Sequence, residues 1–290
     1  MSKVLIIGCG YIGKKVAAWH LKQNDHVIAL THSKTNVDYL QALGIETIEG
    51  DLDVIETLTA LSVENTLIYY FAPPPSEGLT DTRMQHFCQV LTSSNLPTKL
   101  VLISTTGVYG DCQGAWIDET QPLNPQADRA KRRVDAEQVL TAWTDKYHVP
   151  LAILRVAGIY GAGRLPVKRL QQGLPVLEEK ASPYSNRIHA DDLVQACIAA
   201  SMNDKTGIYN ITDGQPSTMT DYFNHVADAV NLPRPPMITP EIAQQTLSEG
   251  MLSYLAESKR IRNQKMVEIL GVKLRYPNLK VGLAQCVEKV

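Results

Sequence analysis

Three glycines, Gly8, Gly10 and Gly13, follow the apolar run Val4-Leu5-Ile6-Ile7 and open a segment with apolar residues at helical spacing (Val16, Ala17, His20, Leu21). In a strand–turn–helix setting each has a separate use. The first permits a tight turn, the second lets backbone approach a pyrophosphate, and the third lets helix and strand pack closely. The backbone of Tyr11 and Ile12 then lies in the first helical turn, where free N–H groups and the positive dipole end face the phosphates. A lone G-x-G-x-x-G is weak evidence, and a glycine-rich turn that binds nothing is the plain alternative. Here the context is the confirming one, a strand before and a helix after in the first βαβ unit. The spacing predicts a site for NAD or NADP.

The residues behind this turn refine the expectation. The second candidate strand ends in Ala29-Leu30-Thr31-His32-Ser33-Lys34, without the carboxylate that an NAD-preferring site puts against the ribose 2′-OH. Thr31, Ser33 and Lys34 can receive a 2′-phosphate, which favours NADP; a solvated loop fits the same residues. Asp51 and Leu52 follow the third strand, where a carboxylate can bond the adenine amino group or simply close a turn. Phe71-Ala72-Pro73 end the fourth strand and can wall the adenosine, and Ser104 closes the fifth.

The strands predicted to position these residues are Val4–Gly8, His26–Thr31, Glu46–Ile48, Thr66–Phe71, Lys99–Ser104 and Leu151–Arg155. They are continuous rather than alternating, as strands buried on both faces should be. Lys14–Lys22 and Val134–Trp143 carry helical periodicity between them, and such alternation gives right-handed crossovers. The expected fold is α/β, a Rossmann-type doubly wound parallel sheet over residues 1–157. A smaller substrate lobe is expected over 158–290, returning some elements to the main sheet. That lobe begins with a loop-rich stretch, Gly158–Asn186. It continues with a helix capped at Asp191-Asp192, a strand Ile208–Ile211, a helix Met219–Val230 and a proline-rich connector Pro233–Pro240.

Composition narrows the function classes. Among 290 residues, 44% are hydrophobic and 20% charged, with a net charge of −2. That argues against a general polyanion binder, so no nucleic acid is expected. No apolar stretch reaches the ~20 residues that span a bilayer. The five scattered cysteines show no C-x-x-C spacing, and the start of the chain has no signal-peptide pattern. The expectation is a cytoplasmic protein with reduced thiols and a small-molecule ligand. There is no metal-ligand cluster, no Ser-His-Asp spacing and no P-loop.

Together with three further segments, these residues resemble the extended short-chain dehydrogenase/reductase family, the NAD-dependent epimerase/dehydratase group. Ser104-Thr105-Thr106-Gly107-Val108-Tyr109-Gly110 is similar to its S-[ST]-x-x-V-Y-G run. Leu154-Arg155-Val156-Ala157-Gly158-Ile159-Tyr160-Gly161 is similar to its L-R-x-x-x-x-Y-G segment. Asn186-Arg187-Ile188-His189-Ala190-Asp191-Asp192-Leu193 is similar to R-x-x-H-x-x-D-[LI]. Asn263–Lys265 and Tyr276-Pro277-Asn278 fit as well, so the likeness covers nearly the whole chain, and it is strongest to the atypical bacterial members.

The resemblance implies an NAD(P)-dependent epimerase, dehydratase or oxidoreductase acting on a nucleotide sugar or small polar carbonyl compound. It also implies homodimers through two paired helices. One departure alters the chemistry. The family carries Tyr-x-x-x-Lys upstream of a Glu; with Glu137 as that Glu, Arg129 stands for the Tyr and Arg133 for the Lys. Arginine is no base near neutrality. A tyrosine lacking a cationic neighbour, with pKa near 10, is ionised in only about one molecule in a thousand at pH 7.

Thr105 matches the family hydroxyl that bonds the substrate oxygen, and it is the first catalytic candidate; Tyr109 is the second, since Tyr109 or Tyr160 can lie near the nicotinamide pocket, although a tyrosine in a V-Y-G run more commonly packs. Arg129 and Arg133, one helical turn apart, can clamp an anionic ligand, or they can form a solvated basic face with Lys131 and Arg132. Arg187 is the expected partner of a ligand phosphate, or else of Asp191 or Asp192 at the helix entry. His189 reads as a packed, hydrogen-bonded core residue. The rival to an enzyme with an altered proton relay is a catalytically silent NAD(P)-binding sensor or partner-binding protein.

Overall fold

In the computed structural model, which describes residues 1–202 and 204–287, the apolar runs pair into one seven-stranded sheet. Numbering only the strands of this sheet, they are β1 (Lys3–Ile7), β2 (His26–Thr31), β3 (Glu46–Glu49), β4 (Thr66–Tyr70), β5 (Lys99–Thr105), β6 (Leu151–Val156) and β7 (Gly207–Ile211). Their order across the sheet is 3-2-1-4-5-6-7, the doubly wound arrangement of dinucleotide-binding folds. The strands from β3 to β5 run parallel, with Val4 opposite Val27 on one side and Leu67 on the other. Val4–Ile7 are buried, and this two-sided burial is why the strand sequence does not alternate. The crossover helices are α1 (Tyr11–Lys22), α2 (Lys34–Ala42), α3 (Thr82–Val90) and α4 (Asp128–Tyr147).

The chain divides into two compact units, each assembled from separate stretches. One comprises Met1–Val108, Pro125–Arg155 and Val194–Tyr209; the other comprises Tyr109–Asn124, Val156–Leu193 and the residues from Asn210 onward. The first unit carries its core on the sheet and on α3 and α4, with Leu5, Ile68, Tyr70, Phe87, Leu102 and Leu140 packed together. The second has its own core, where Tyr160, Leu170, Val176, Tyr222, Phe223 and Leu283 meet.

The second unit contains the helices α5 (Val167–Gln171), α7 (Met219–Ala229), α8 (Pro240–Thr246), α9 (Glu249–Leu255), α10 (Gln264–Glu268) and α11 (Leu279–Val287). The expected loop-rich stretch is threaded with two- and three-residue strands. Gly158–Tyr160 pairs with Arg187–His189, and Val176–Leu177 with Met237–Ile238 inside the proline-rich connector. Among the described residues, no helix is long and apolar enough to cross a membrane.

At the entry to α6 (Ala190–Ala200), the buried carboxylate of Asp192 accepts the backbone N–H groups of Arg275 (2.8 Å) and Tyr276 (2.9 Å). A ring nitrogen also serves the helix end, with the Asp191 N–H donating to Nδ1 of His189 at 3.2 Å. His189 is otherwise the packed residue expected, its ring 5.2 Å from that of Tyr160.

In the first unit β5, α4 and β6 are joined by a buried ion pair. Glu137 and Arg155 are 4% and 3% exposed, and Nη2 of Arg155 reaches Oε2 of Glu137 at 2.7 Å while Nε bonds both carboxylate oxygens at 3.2 Å. Ser104 donates its hydroxyl to the same carboxylate. Removing one partner of such a pair leaves the other charge uncompensated. Glu137→Ala should therefore lower stability by roughly 3–5 kcal/mol, read as a fall in the urea midpoint. A loss below 1 kcal/mol would show the pair to be dispensable.

Candidate cofactor and substrate sites

The β1–α1 turn has the geometry its glycines predict. Gly8 has φ of +86°, and a Cβ on it would stand 2.5 Å from the backbone N of Ala72 and 2.8 Å from its Cα. A Cβ on Gly13 would stand 3.0 Å from the carbonyl oxygen of Gly8 and 3.2 Å from the Ile6 side chain. At Gly10 a Cβ would meet nothing within 4 Å. Two glycines thus serve close packing, and the middle one faces open space. Gly10 precedes α1 with no side-chain cap and no acidic residue in the first turn, so the helix end presents backbone N–H groups and a positive dipole end. Ile12 is buried and Tyr11 half-buried, which leaves their backbone as the part available to a phosphate. These residues fit a dinucleotide's pyrophosphate.

Around this turn stand the other expected cofactor residues. Thr31 accepts the Ser33 N–H at 3.3 Å, Ser33 precedes α2 without capping it, and Lys34 is exposed. One group here is not visible from reading along a single strand. Exposed Glu49 on β3 is the register partner of Thr31, so a carboxylate borders this corner. Asp51 accepts the Asp53 N–H at 2.9 Å, an Asx turn of its own making, and the Leu52 carbonyl accepts from Nδ1 of His86 at 2.7 Å. Phe71 donates its N–H to the Ile7 carbonyl at 2.7 Å, which carries β4 past the end of β1. Ala72 is buried and Pro73 exposed. Ser104 is buried and its hydroxyl is engaged by Glu137.

The four basic residues of the first turns of α4 part company: Lys131 fits the solvated-face expectation, pairing with Asp128 at 3.0 Å in an exposed setting. Arg132 is buried and donates to the Gly78 carbonyl. Nη1 of Arg133 donates to the Ala72 carbonyl at 3.2 Å, at the rim of the cradle. Burial lowers the Arg133 pKa and the charge of Asp81 opposes the shift. The guanidinium stays cationic in either case. Arg129 is half-buried one turn earlier. Thr105 ends β5 half-buried, its Oγ1 accepting the Gly107 N–H at 3.2 Å.

Tyr109 fits the packing alternative: its side chain is fully buried and its phenol donates to Oδ1 of Asn210 at 2.7 Å. Arg187 lies 4.2 Å from the centre of the Tyr222 ring and donates to the Asn186 carbonyl at 3.0 Å. Asp213, which no motif marked, is buried and belongs to the same unit. Burial pushes its pKa up to about 7, with the bonded Gln215 N–H and the charge of Arg187 acting in the other direction.

A parallel sheet in this strand order with a glycine cradle at the β1–α1 turn defines a Rossmann-type dinucleotide-binding protein. Residues 4–212 match the NAD dependent epimerase/dehydratase family, and the chain belongs to it. It is similar to Protein YeeZ of Escherichia coli K12, 26% identical over 297 residues that cover 96% of this chain and 97% of that protein. It is also similar to the structure of a functionally unknown conserved protein from Silicibacter pomeroyi, with 28% identity, 99% of each chain covered and a TM-score of 0.83. A UDP-glucose 4-epimerase from Thermotoga maritima, solved with UDP-glucose, shares the fold at 18% identity, covering 99% of this chain and 98% of that one, with a TM-score of 0.80.

The contrast among the glycines is testable. Gly10→Ala should melt within a degree or two of the parent, yet bind NADH and NADPH at least about tenfold more weakly, because its methyl enters the space open to a phosphate. Gly8→Ala should unfold at markedly lower temperature. Equal cofactor affinity for Gly10→Ala and the parent in calorimetry would refute this placement.

Proposed function

We propose that this protein binds NAD or NADP at the β1–α1 turn and carries out hydride-transfer chemistry of the epimerase, dehydratase or reductase type. Its substrate is a nucleotide sugar or a small polar carbonyl compound. The observation that carries the reading is the open Gly10 between Gly8, where any side chain would clash with the Ala72 backbone, and the tightly packed Gly13.

Bound there, the nicotinamide would supply a reversible hydride acceptor. The chain's own part is positioning. In the first unit Thr105 offers a hydroxyl to the substrate oxygen from the end of β5, Arg133 presents a fixed positive charge at the Ala72 carbonyl, and Arg129 is a group for a ligand anion; in the second unit, taken by itself, Arg187 is another. The proton relay is where this chain differs from the family pattern. Neither Arg129 nor Arg133 can take up or release a proton near neutrality. Acid–base assistance contributes about 10²–10⁴-fold in rate, so turnover should be slow by that factor unless the substrate or water moves the proton. The same two arginines support the second reading, a silent NAD(P)-binding sensor that keeps the cradle without the chemistry.

The purified protein should bind NADPH and NADH saturably, and NADPH more tightly through Thr31, Ser33 and Lys34. Since Glu49 opposes a 2′-phosphate, a tighter NADH complex would overturn that preference while leaving the cradle intact. Across a panel of carbonyl compounds and nucleotide sugars, absorbance of the reduced cofactor should change slowly with at least one compound. The double variant Arg129→Tyr/Arg133→Lys should accelerate that change. Activity appearing only in the double variant would establish the silent reading.

A further inference from the structure

In the first unit two strands, β2 and β1, lie between β3 and β4 in the sheet, so strand pairing does not fix how the segments after β3 and β4 stand to each other. Those segments carry Asp51, Leu52 and Pro73. One face of α3 ties them together. Nε and Nη2 of Arg83 donate to the two carboxylate oxygens of Asp53 at 2.7 and 2.6 Å, and Nη1 donates to the Pro73 carbonyl at 3.1 Å. Three residues on, on the same side of the helix, Nδ1 of His86 donates to the Leu52 carbonyl at 2.7 Å. Asp53 passes the constraint along, since its N–H donates to Oδ1 of Asp51 at 2.9 Å. The contacts run from Asp51 through Asp53 and Arg83 to Pro73, all within one unit.

Stability alone gives this strap little use. The Arg83 and Asp53 side chains are 26% and 46% exposed, and ion pairs in such settings contribute little, because water screens them and two long side chains must be held still. The geometry is nonetheless directional, a guanidinium fork on both oxygens of one carboxylate. The hydrogen bonds from Arg83 hold the Asp53 carboxyl below the usual carboxylate range, so the fork stays charged at neutral pH. Such a fixed support has a use where groups that meet a ligand must keep a set spacing.

We propose that Arg83, acting through Asp53, sets adenine recognition in this protein, by holding the Asp51 carboxylate at one wall of the adenine slot at a fixed distance from Pro73 at the other. Arg83 is a positioning residue, and its effect reaches the ligand through Asp51. Adenine presents an exocyclic amino group, a donor, and an ionised carboxylate only accepts. Hypoxanthine carries a carbonyl oxygen in place of that amino group, so two acceptors would face each other. A slot held to one spacing refuses it, and a slack one lets the carboxylate turn aside. The inference rests on the proposed function in placing a dinucleotide at the β1–α1 turn, and deepens it by naming what fixes the adenine end.

The test is calorimetry on the full chain with NADH and its hypoxanthine analogue, reduced nicotinamide hypoxanthine dinucleotide. The parent should bind NADH roughly tenfold more tightly than the analogue, the factor for a lost charge-assisted hydrogen bond. Arg83→Gln should bring that ratio within about twofold while its melting temperature stays close to the parent's. Arg83→Lys, which keeps the charge and loses the fork, should fall between the two. Asp53→Ala should match Arg83→Gln, and the double variant should lose no more than either single, as two links of one strap require. An unchanged ratio in Arg83→Gln, an equal loss for both dinucleotides, or a parent without preference would overturn the proposal. If Arg83→Gln does not fold, Asp53→Ala carries the same comparison. A parent that binds neither dinucleotide removes the cofactor reading and this inference together, whereas a preference that survives in the variants removes this inference alone.

Discussion

The first unit depends on the near-contact between the end of β1 and the backbone just past β4, where Gly8 and Ala72 leave no room for a side chain. The Phe71 N–H donates to the Ile7 carbonyl at this crossing, so β4 stays paired with β1 one residue beyond its last register pair. Because Gly8 takes a left-handed conformation, the chain turns sharply enough for α1 to start at Tyr11. The open face at Gly10 follows from that turn. The carbonyl of Ala72 is in turn the acceptor for Arg133, so the constraint that shapes the phosphate cradle also sets where this arginine stands.

Beneath the carboxyl ends of the strands, the charges of α4 are sorted by burial. Glu137 and Arg155 compensate each other inside the unit and engage Ser104. Four residues earlier on the same helix, Arg133 faces the rim. A guanidinium at this position is bulkier than an ammonium and directs its bonds in a plane, which suits it to hold a carbonyl or an anion and not to tune a neighbouring phenol.

Much of this was legible in the sequence. The strands and the glycine turn announce themselves through two-sided burial and through glycines whose spacing has few other uses, and each strand lies within a residue or two of its expected bounds. What stayed hidden depends on register and on tertiary packing. Glu49 borders Thr31 only because β2 and β3 pair in one register. Tyr109 sits in a run that suggests chemistry, yet its phenol is satisfied by Asn210, a residue 101 positions away. The Asp192 carboxylate holds a pair of backbone N–H groups more than eighty positions away, which no local pattern announces.

The double grip of the Asp192 carboxylate on the amides of Arg275 and Tyr276 makes the tail an integral part of the second unit. A proteolytic nick upstream of residue 275 that released the tail would take both of these N–H donors from the Asp192 carboxylate and uncover Leu283 and Cys286, which pack in the same core. Trimming from the carboxyl end is therefore tolerable only until it reaches α11; beyond that point the fragment becomes a target for quality-control proteases and not merely a shorter protein.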